Sequence, residues 1–159
     1  MSSCVFPGSF DPVTLGHTDL ISRASRLFDN VYVAVMINIQ KKGTIPADQR
    51  ISMLKTVCRD YSNVIVERWD GLLADYMNEK NTALVIRGVR HFSEYEHELN
   101  AATVNKMLNS RIETVFLPAD PKLSCISSSA VKEIYRFGGD IRPFVPEILL
   151  KEIISYLSK

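Results

Sequence analysis

Short apolar runs and longer amphipathic stretches alternate along the chain. Residues 4–6 are apolar and precede Pro7-Gly8, the pattern of a buried strand ending in a turn. Leu20, Ile21, Ala24, Leu27 and Phe28 recur at helical spacing and predict a helix over residues 18–28. Residues 31–39 are mostly β-branched or aromatic, which predicts a buried strand. A polar loop over 40–45 follows. Pro46 then suits a first helical turn, with Ile51, Leu54, Val57 and Cys58 on its inner face. Further strands are predicted at 64–66, 83–86 and 114–117, and a short helix at 72–80. Ser93-x-x-Glu96 reads as a capping box opening a helix to about Leu108. Ser127 or Ser128 caps another, which Gly138-Gly139 stops after Phe137. A final helix spans about 146–157. Five strands separated by helices, with no repeat or linker, predict one domain over 1–159. Its class is α/β, a single-domain Rossmann-like three-layer fold with a five-stranded parallel sheet.

Composition narrows the partners. A chain of 159 residues, 46% hydrophobic and 23% charged, supports one self-sufficient core and excludes disorder as its description. Nineteen Lys and Arg against eighteen Asp and Glu, a net charge of +1, argue against broad nucleic-acid binding. Cys4, Cys58 and Cys125 have no metal-type spacing and read as small buried apolar residues in a reducing compartment. No signal segment or bilayer-length apolar run stands out, so a soluble cytoplasmic protein is the expectation, with no membrane and no protein-held metal.

In a parallel sheet the ligand crevice lies beyond the carboxyl ends of the strands. After the first strand comes Gly8-Ser9-Phe10-Asp11-Pro12-Val13-Thr14-Leu15-Gly16-His17, leading into a helix start. A glycine, a hydroxyl and a helix N-terminus suit phosphate. The plainer alternative is an ordinary turn with Thr14 capping and His17 in the core. Lys41-Lys42 follow the second strand and alone would read as solvated. Arg87-Gly88-Val89-Arg90 follow the fourth. Two arginines leaving a buried strand need partners, either a ligand or a salt bridge to Glu94, Glu96 or Glu98. Ser124-Cys125-Ile126-Ser127-Ser128-Ser129 bring hydroxyls and free N–H groups to a helix start, a second anion site or redundant capping. Together these groups suit a polyphosphate. The glycines of a P-loop or GxGxxG loop are missing, no nucleophilic triad is placed, and no carboxylate pair is expected at the crevice.

Thr14-Leu15-Gly16-His17 and Ile126-Ser127-Ser128-Ser129-Ala130-Val131-Lys132 resemble the TxGH and ISSSxxK signatures of the nucleotidyltransferase superfamily. With Pro7–Pro12, Ile86–Arg90 and Tyr95-Glu96-His97-Glu98, nearly the whole chain resembles the bacterial phosphopantetheine adenylyltransferase family. That resemblance implies ATP and 4′-phosphopantetheine as substrates, dephospho-coenzyme A and pyrophosphate as products, and Mg²⁺ arriving with ATP. It implies a homohexamer, and coenzyme A as a candidate inhibitor. It implies His17 as the catalytic residue, donating to the α-phosphate. Ser9, Lys41, Leu73 and Arg87 would hold phosphopantetheine. Ser9, Phe10, His17, Gly88, Val89, Arg90, Glu98, Leu123, Ser124, Cys125, Ile126, Ser127, Ser128 and Ser129 would hold ATP. Leu123 stands where the family often has tryptophan, and Gly43 where it often has proline. The alternatives are another small-molecule adenylyl- or cytidylyltransferase, such as a nicotinamide or nicotinate mononucleotide enzyme, and a non-catalytic nucleotide-binding module.

Overall fold

Five parallel strands form one sheet in a computed structural model that describes residues 2–37 and 43–158. The strands are β1 (Ser3–Gly8), β2 (Asn30–Met36), β3 (Val64–Trp69), β4 (Leu84–Val89) and β5 (Glu113–Pro118). Their spatial order is β3-β2-β1-β4-β5. The chain steps outward from β1 to β3, then crosses to the other side for β4 and β5. The switch point therefore lies between β1 and β4, and a crevice belongs at their carboxyl ends.

Alternate residues of each strand feed two cores, as the pleat requires. Cys4, Phe6, Val31, Val33 and Val35 face α1 (Leu15–Leu27), α2 (Ala47–Cys58), α5 (Ser128–Arg136) and α6 (Leu150–Leu157). Val5, Ala34 and Val85 face Ala74, Tyr76 and Met77 of α3 (Leu73–Glu79). These two faces make the three layers expected of the alternating pattern. The fourth helix, α4 (Phe92–Leu108), buries none of its residues fully. No helix among the described residues is long and apolar enough to cross a membrane.

Several boundaries differ from expectation, each for a long-range reason. Strand β1 runs on through Pro7 to Gly8, because β2 stays paired with it as far as Gly8↔Val35. A proline is tolerated there because β1 and β4 pair only at Cys4↔Leu84 and Val5↔Val85. The Pro7 carbonyl faces β4, so the missing N–H faces a side where the ladder has already ended. Strand β4 includes Arg87, Gly88 and Val89, expected as a loop, because β5 continues beside them to Val89↔Pro118. Gly88 is needed for packing, since a Cβ there would collide with Leu20 of α1.

Helix α1 starts at Leu15, three residues before the apolar periodicity, because Thr14 caps it. The capping box expected at Ser93 is not formed: the N-cap is His91, two residues earlier, and α4 starts at Phe92. Glu94, not Glu96, folds back, and it accepts the backbone N–H of Arg90 at 2.9 Å. Ser127 caps α5, accepting the Ala130 N–H at 3.0 Å. Gly138, at φ 76°, takes the left-handed conformation that ends it. The final helix begins as a 3₁₀ turn at Glu147–Leu149 before α6. Cys4 and Cys58 are buried as expected, whereas Cys125 is exposed because its loop runs over the surface.

Candidate active site

Where the β1–β4 ladder stops, the strands separate and a side chain takes over. Arg87 Nη1 donates to the Pro7 carbonyl at 2.6 Å. On either side of this bridge lie two adjoining cavities. One, of about 740 Å³, is walled by Met36, Ile37, Leu72, Leu73, Ala101, Ala102 and Asn105. The other, of about 270 Å³, is lined by Thr14, Gly16, His17, Gly88, Arg90, Glu94, Leu123 and Ile126–Ser129. Pro7, Gly8, Ser9, Arg87 and Glu98 line both and so form their junction.

His17 sits in the first turn of α1, partly buried, with its ring 4.9 Å centroid to centroid from Phe10. The Thr14 N–H donates to His17 Nδ1 at 3.0 Å, and the Thr14 hydroxyl lies 3.1 Å from the same nitrogen. An Nδ1 that accepts a backbone N–H cannot carry a proton, so the neutral ring carries it on Nε2. Burial, then the positive charges of Arg90 and Arg87, lower the His17 pKa from its usual 6.5 to about 4. At neutral pH the ring is therefore an uncharged Nε2–H donor in the smaller cavity. Thr14 thus caps the helix and also fixes the tautomer of His17, which lines the smaller cavity.

Both arginines carry the salt bridges weighed as the plain alternative, and both still line the cavity. Arg87 is forked onto Glu98, with Nε to Oε2 at 2.6 Å and Nη2 to Oε1 at 2.5 Å. Arg90 is forked onto Glu94 and donates through Nη1 to the Ile126 carbonyl at 2.7 Å, tying β4 to the serine loop. Burial acts to raise the Glu94 pKa, but hydrogen bonds from Arg90 outweigh it and hold the carboxyl below its usual value. Glu94 and Glu98 are thus a carboxylate pair at the crevice, contrary to expectation. They arrive on successive turns of α4, and each faces its own arginine.

The N-termini of α1 and α5 both open on the smaller cavity, with Ser127, Ser128 and Ser129 in its lining. Backbone N–H groups and the positive dipole ends make such positions suited to anions. The Ser128 hydroxyl donates to the Pro12 carbonyl at 2.7 Å and so joins the serine loop to the loop after β1.

Of the expected site residues, Ser9, His17, Arg87, Gly88, Arg90, Glu98, Leu123 and Ile126–Ser129 are brought together here, and Leu73 lies in the larger cavity. Phe10 turns its ring into the core, 1% exposed, against Phe6 and His17. Val89, Ser124 and Cys125 are not in the cavity lining. Lys41 lies outside the described residues. Glu94, weighed in sequence only as one of three possible salt-bridge partners, also lines the smaller cavity, and its spacing of four from Arg90 is the signal that marked it. Sequence reading missed Asp11 and Arg50, buried under the loop after β1, and the Ala101–Asn105 wall.

Residues 5–134 match the cytidylyltransferase-like family model. The chain is 45% identical to a phosphopantetheine adenylyltransferase of Clostridium novyi over 159 residues, covering all of this chain and 99% of that one. It is 44% identical to a Caldanaerobacter subterraneus protein of the same name, over 100% of this chain and 99% of the relative. Among solved structures it resembles a Plasmodium falciparum nicotinic acid mononucleotide adenylyltransferase complexed with NaAD. The TM-score is 0.68 at 16% identity, covering 99% of this chain and 94% of the other, a likeness of fold.

Proposed function

The chain belongs to the phosphopantetheine adenylyltransferases of the cytidylyltransferase-like family, and from that premise we propose how its residues divide the work. The reaction moves the adenylyl group of ATP to 4′-phosphopantetheine, giving dephospho-coenzyme A and pyrophosphate in coenzyme A synthesis. The observation that carries the assignment is the pair of cavities meeting at Ser9, Arg87 and Glu98. A two-substrate transfer needs two binding spaces and one shared point of contact. The larger cavity, walled by Leu73 and its apolar neighbours, suits the pantetheine arm. The smaller one, with two helix N-termini and arginines, suits the nucleotide and its phosphates.

In this reading the phosphate of phosphopantetheine sits at the junction beside Ser9 and Arg87, with Lys41 assigned to the same group by family resemblance. It attacks the α-phosphorus of ATP in line. A phosphate monoester is already nucleophilic, so positioning and charge stabilisation carry the rate. His17 Nε2–H donates to an α-phosphate oxygen as charge builds there. Gly88, Val89, Arg90, Glu98, Leu123 and Ser124–Ser129 form the ATP side, with Phe10 acting from behind His17. Arg87 and Arg90 exchange their carboxylate partners for phosphate when substrate enters.

No group of three or more His, Cys, Asp or Glu side chains is placed to hold a metal among the described residues. By family resemblance a Mg²⁺ ion would be carried in on ATP phosphate oxygens and water, where it would supply charge neutralisation. A cytoplasmic setting fits these metabolites, with dephospho-coenzyme A as product and coenzyme A as a candidate inhibitor. Helix α4 leaves Phe92 78% and Met107 82% exposed, which supports burial against further copies in a homohexamer.

The test is a substrate screen on the purified protein. Pyrophosphate is released from ATP when 4′-phosphopantetheine is added and not when nicotinamide mononucleotide replaces it. Equal release with both would overturn the reading.

A further inference from the structure

Ser9 stands at the junction of the two cavities, but its backbone carbonyl is held from the opposite direction. Arg50 Nη1, on α2, donates to that carbonyl at 2.6 Å. Arg50 is 7% exposed; among the described residues its Nε has no hydrogen-bond partner and no salt bridge reaches it, so the Asp11 carboxylate offsets its charge only through space. A buried guanidinium this incompletely hydrogen-bonded costs stability that an apolar side chain of similar volume would not. Something other than packing must justify it.

The backbone beside it supplies a reason. Phe10, the next residue, adopts φ 49°, a left-handed conformation that bulky residues rarely take. Such residues persist where their surroundings over-determine them. Arg50 secures the chain before Phe10. Asp11 secures it after, accepting the N–H groups of Thr44 at 2.9 Å and Ile45 at 2.8 Å, with Lys132 Nζ at 3.5 Å. The turn is clamped on both sides, and its two exits are the junction at Ser9 and the Thr14–His17 pair.

We propose that Arg50 is a positioning residue for the transfer, fixing Ser9 at the meeting point of the two substrates through its grip on the Ser9 carbonyl. This rests on the assignment of that junction to the transferring phosphates. Arg50 touches no substrate; loosening it displaces Ser9 relative to the reacting groups while leaving the nucleotide cavity intact.

The experiment compares Arg50→Met, Arg50→Lys and Arg50→Gln in the full chain by steady-state kinetics, direct ATP binding and thermal melting. Misplacement of a reacting group on the ångström scale lowers rate by up to about 10²-fold. Arg50→Met is expected to lower kcat at least about 10-fold, keep ATP affinity within about threefold, and melt no lower than the parent. Arg50→Lys, which still offers an N–H donor to the carbonyl, recovers most of the rate. Parental kcat in Arg50→Met overturns the proposal. So does a loss shared equally by Lys and Met variants and tracking a fall in Tm, the mark of a structural role. If Arg50→Met does not fold, Arg50→Lys, which reaches the Ser9 carbonyl, must exceed Arg50→Gln, whose amide donor falls short of it, in kcat at matched Tm, and equality overturns the proposal. A parent that releases no pyrophosphate from ATP and 4′-phosphopantetheine overturns the functional reading, and this proposal with it.

Discussion

On the β1 side of the crevice, position is set by backbone hydrogen bonds. The Thr14 N–H fixes the tautomer of His17, Arg50 holds the Ser9 carbonyl, and Asp11 takes two N–H groups of the segment before α2. The groups behind this wall are buried: Phe10, Asp11 and Thr14 are each under 8% exposed. On the β4 side, Arg87 and Arg90 are held mainly by carboxylates of α4, a helix with no fully buried residue. Ion pairs at such partly buried positions contribute little net stability, because the cost of desolvating both partners offsets most of their attraction. Backbone bonds in a buried turn do not exchange cheaply. One wall is therefore preformed, and in the proposed reading the other trades a carboxylate for a phosphate. That division suits a reaction whose donor must be fixed and whose anionic substrates must come and go.

The largest effect that can break this comparison is at His17. His17→Ala should lower kcat by on the order of 10²–10³, the loss expected for one transition-state donor, with ATP binding little changed. Steady-state kinetics with both substrates checks it. Unchanged turnover would move the essential donor to the arginine wall.

Next in size is a pH effect on stability. His17 titrates at about 4 in the fold against 6.5 when free, so the unfolded chain binds the extra proton first. The contribution is complete above pH 6.5 and is lost as pH falls through 6.5 to 4, at most about 3 kcal/mol. Denaturation series across that window should show stability falling with acid in the parent and a shallower fall in His17→Gln. Parallel curves would mean that the preformed wall does not hold the ring neutral.

The smallest effect sharpens the exchangeable wall. Glu94→Gln removes a negative charge from the nucleotide cavity and frees Arg90, so KM for ATP should fall by about two- to fivefold, in line with a partly exposed ion pair. A raised KM would show Glu94 orienting Arg90 instead of competing with phosphate.

Much of the site was legible from local signals. Gly8-Ser9, His17, the arginines and the serines each stand at or beyond the carboxyl end of a strand, and alternation of apolar runs placed those ends to within three residues. Their state was not legible. Nothing local says that Arg87 meets Glu98, that Phe10 turns inward, or that Arg50 lies beneath Ser9. The capping box at Ser93 shows the limit: the pattern was present, but Arg90 drew Glu94 back and moved the helix start.

The sequence alone determined the order of strands and helices, the parallel sheet and the family, because periodicity, capping residues and motifs act within a few positions along the chain. Only the tertiary structure decided where the β1–β4 ladder stops and how the two cavities join. Arg87 reaches the Pro7 carbonyl across 80 positions, and Ser128 reaches Pro12 across 116. Such bonds depend on how twisted strands and helices pack, and no local pattern encodes that distance.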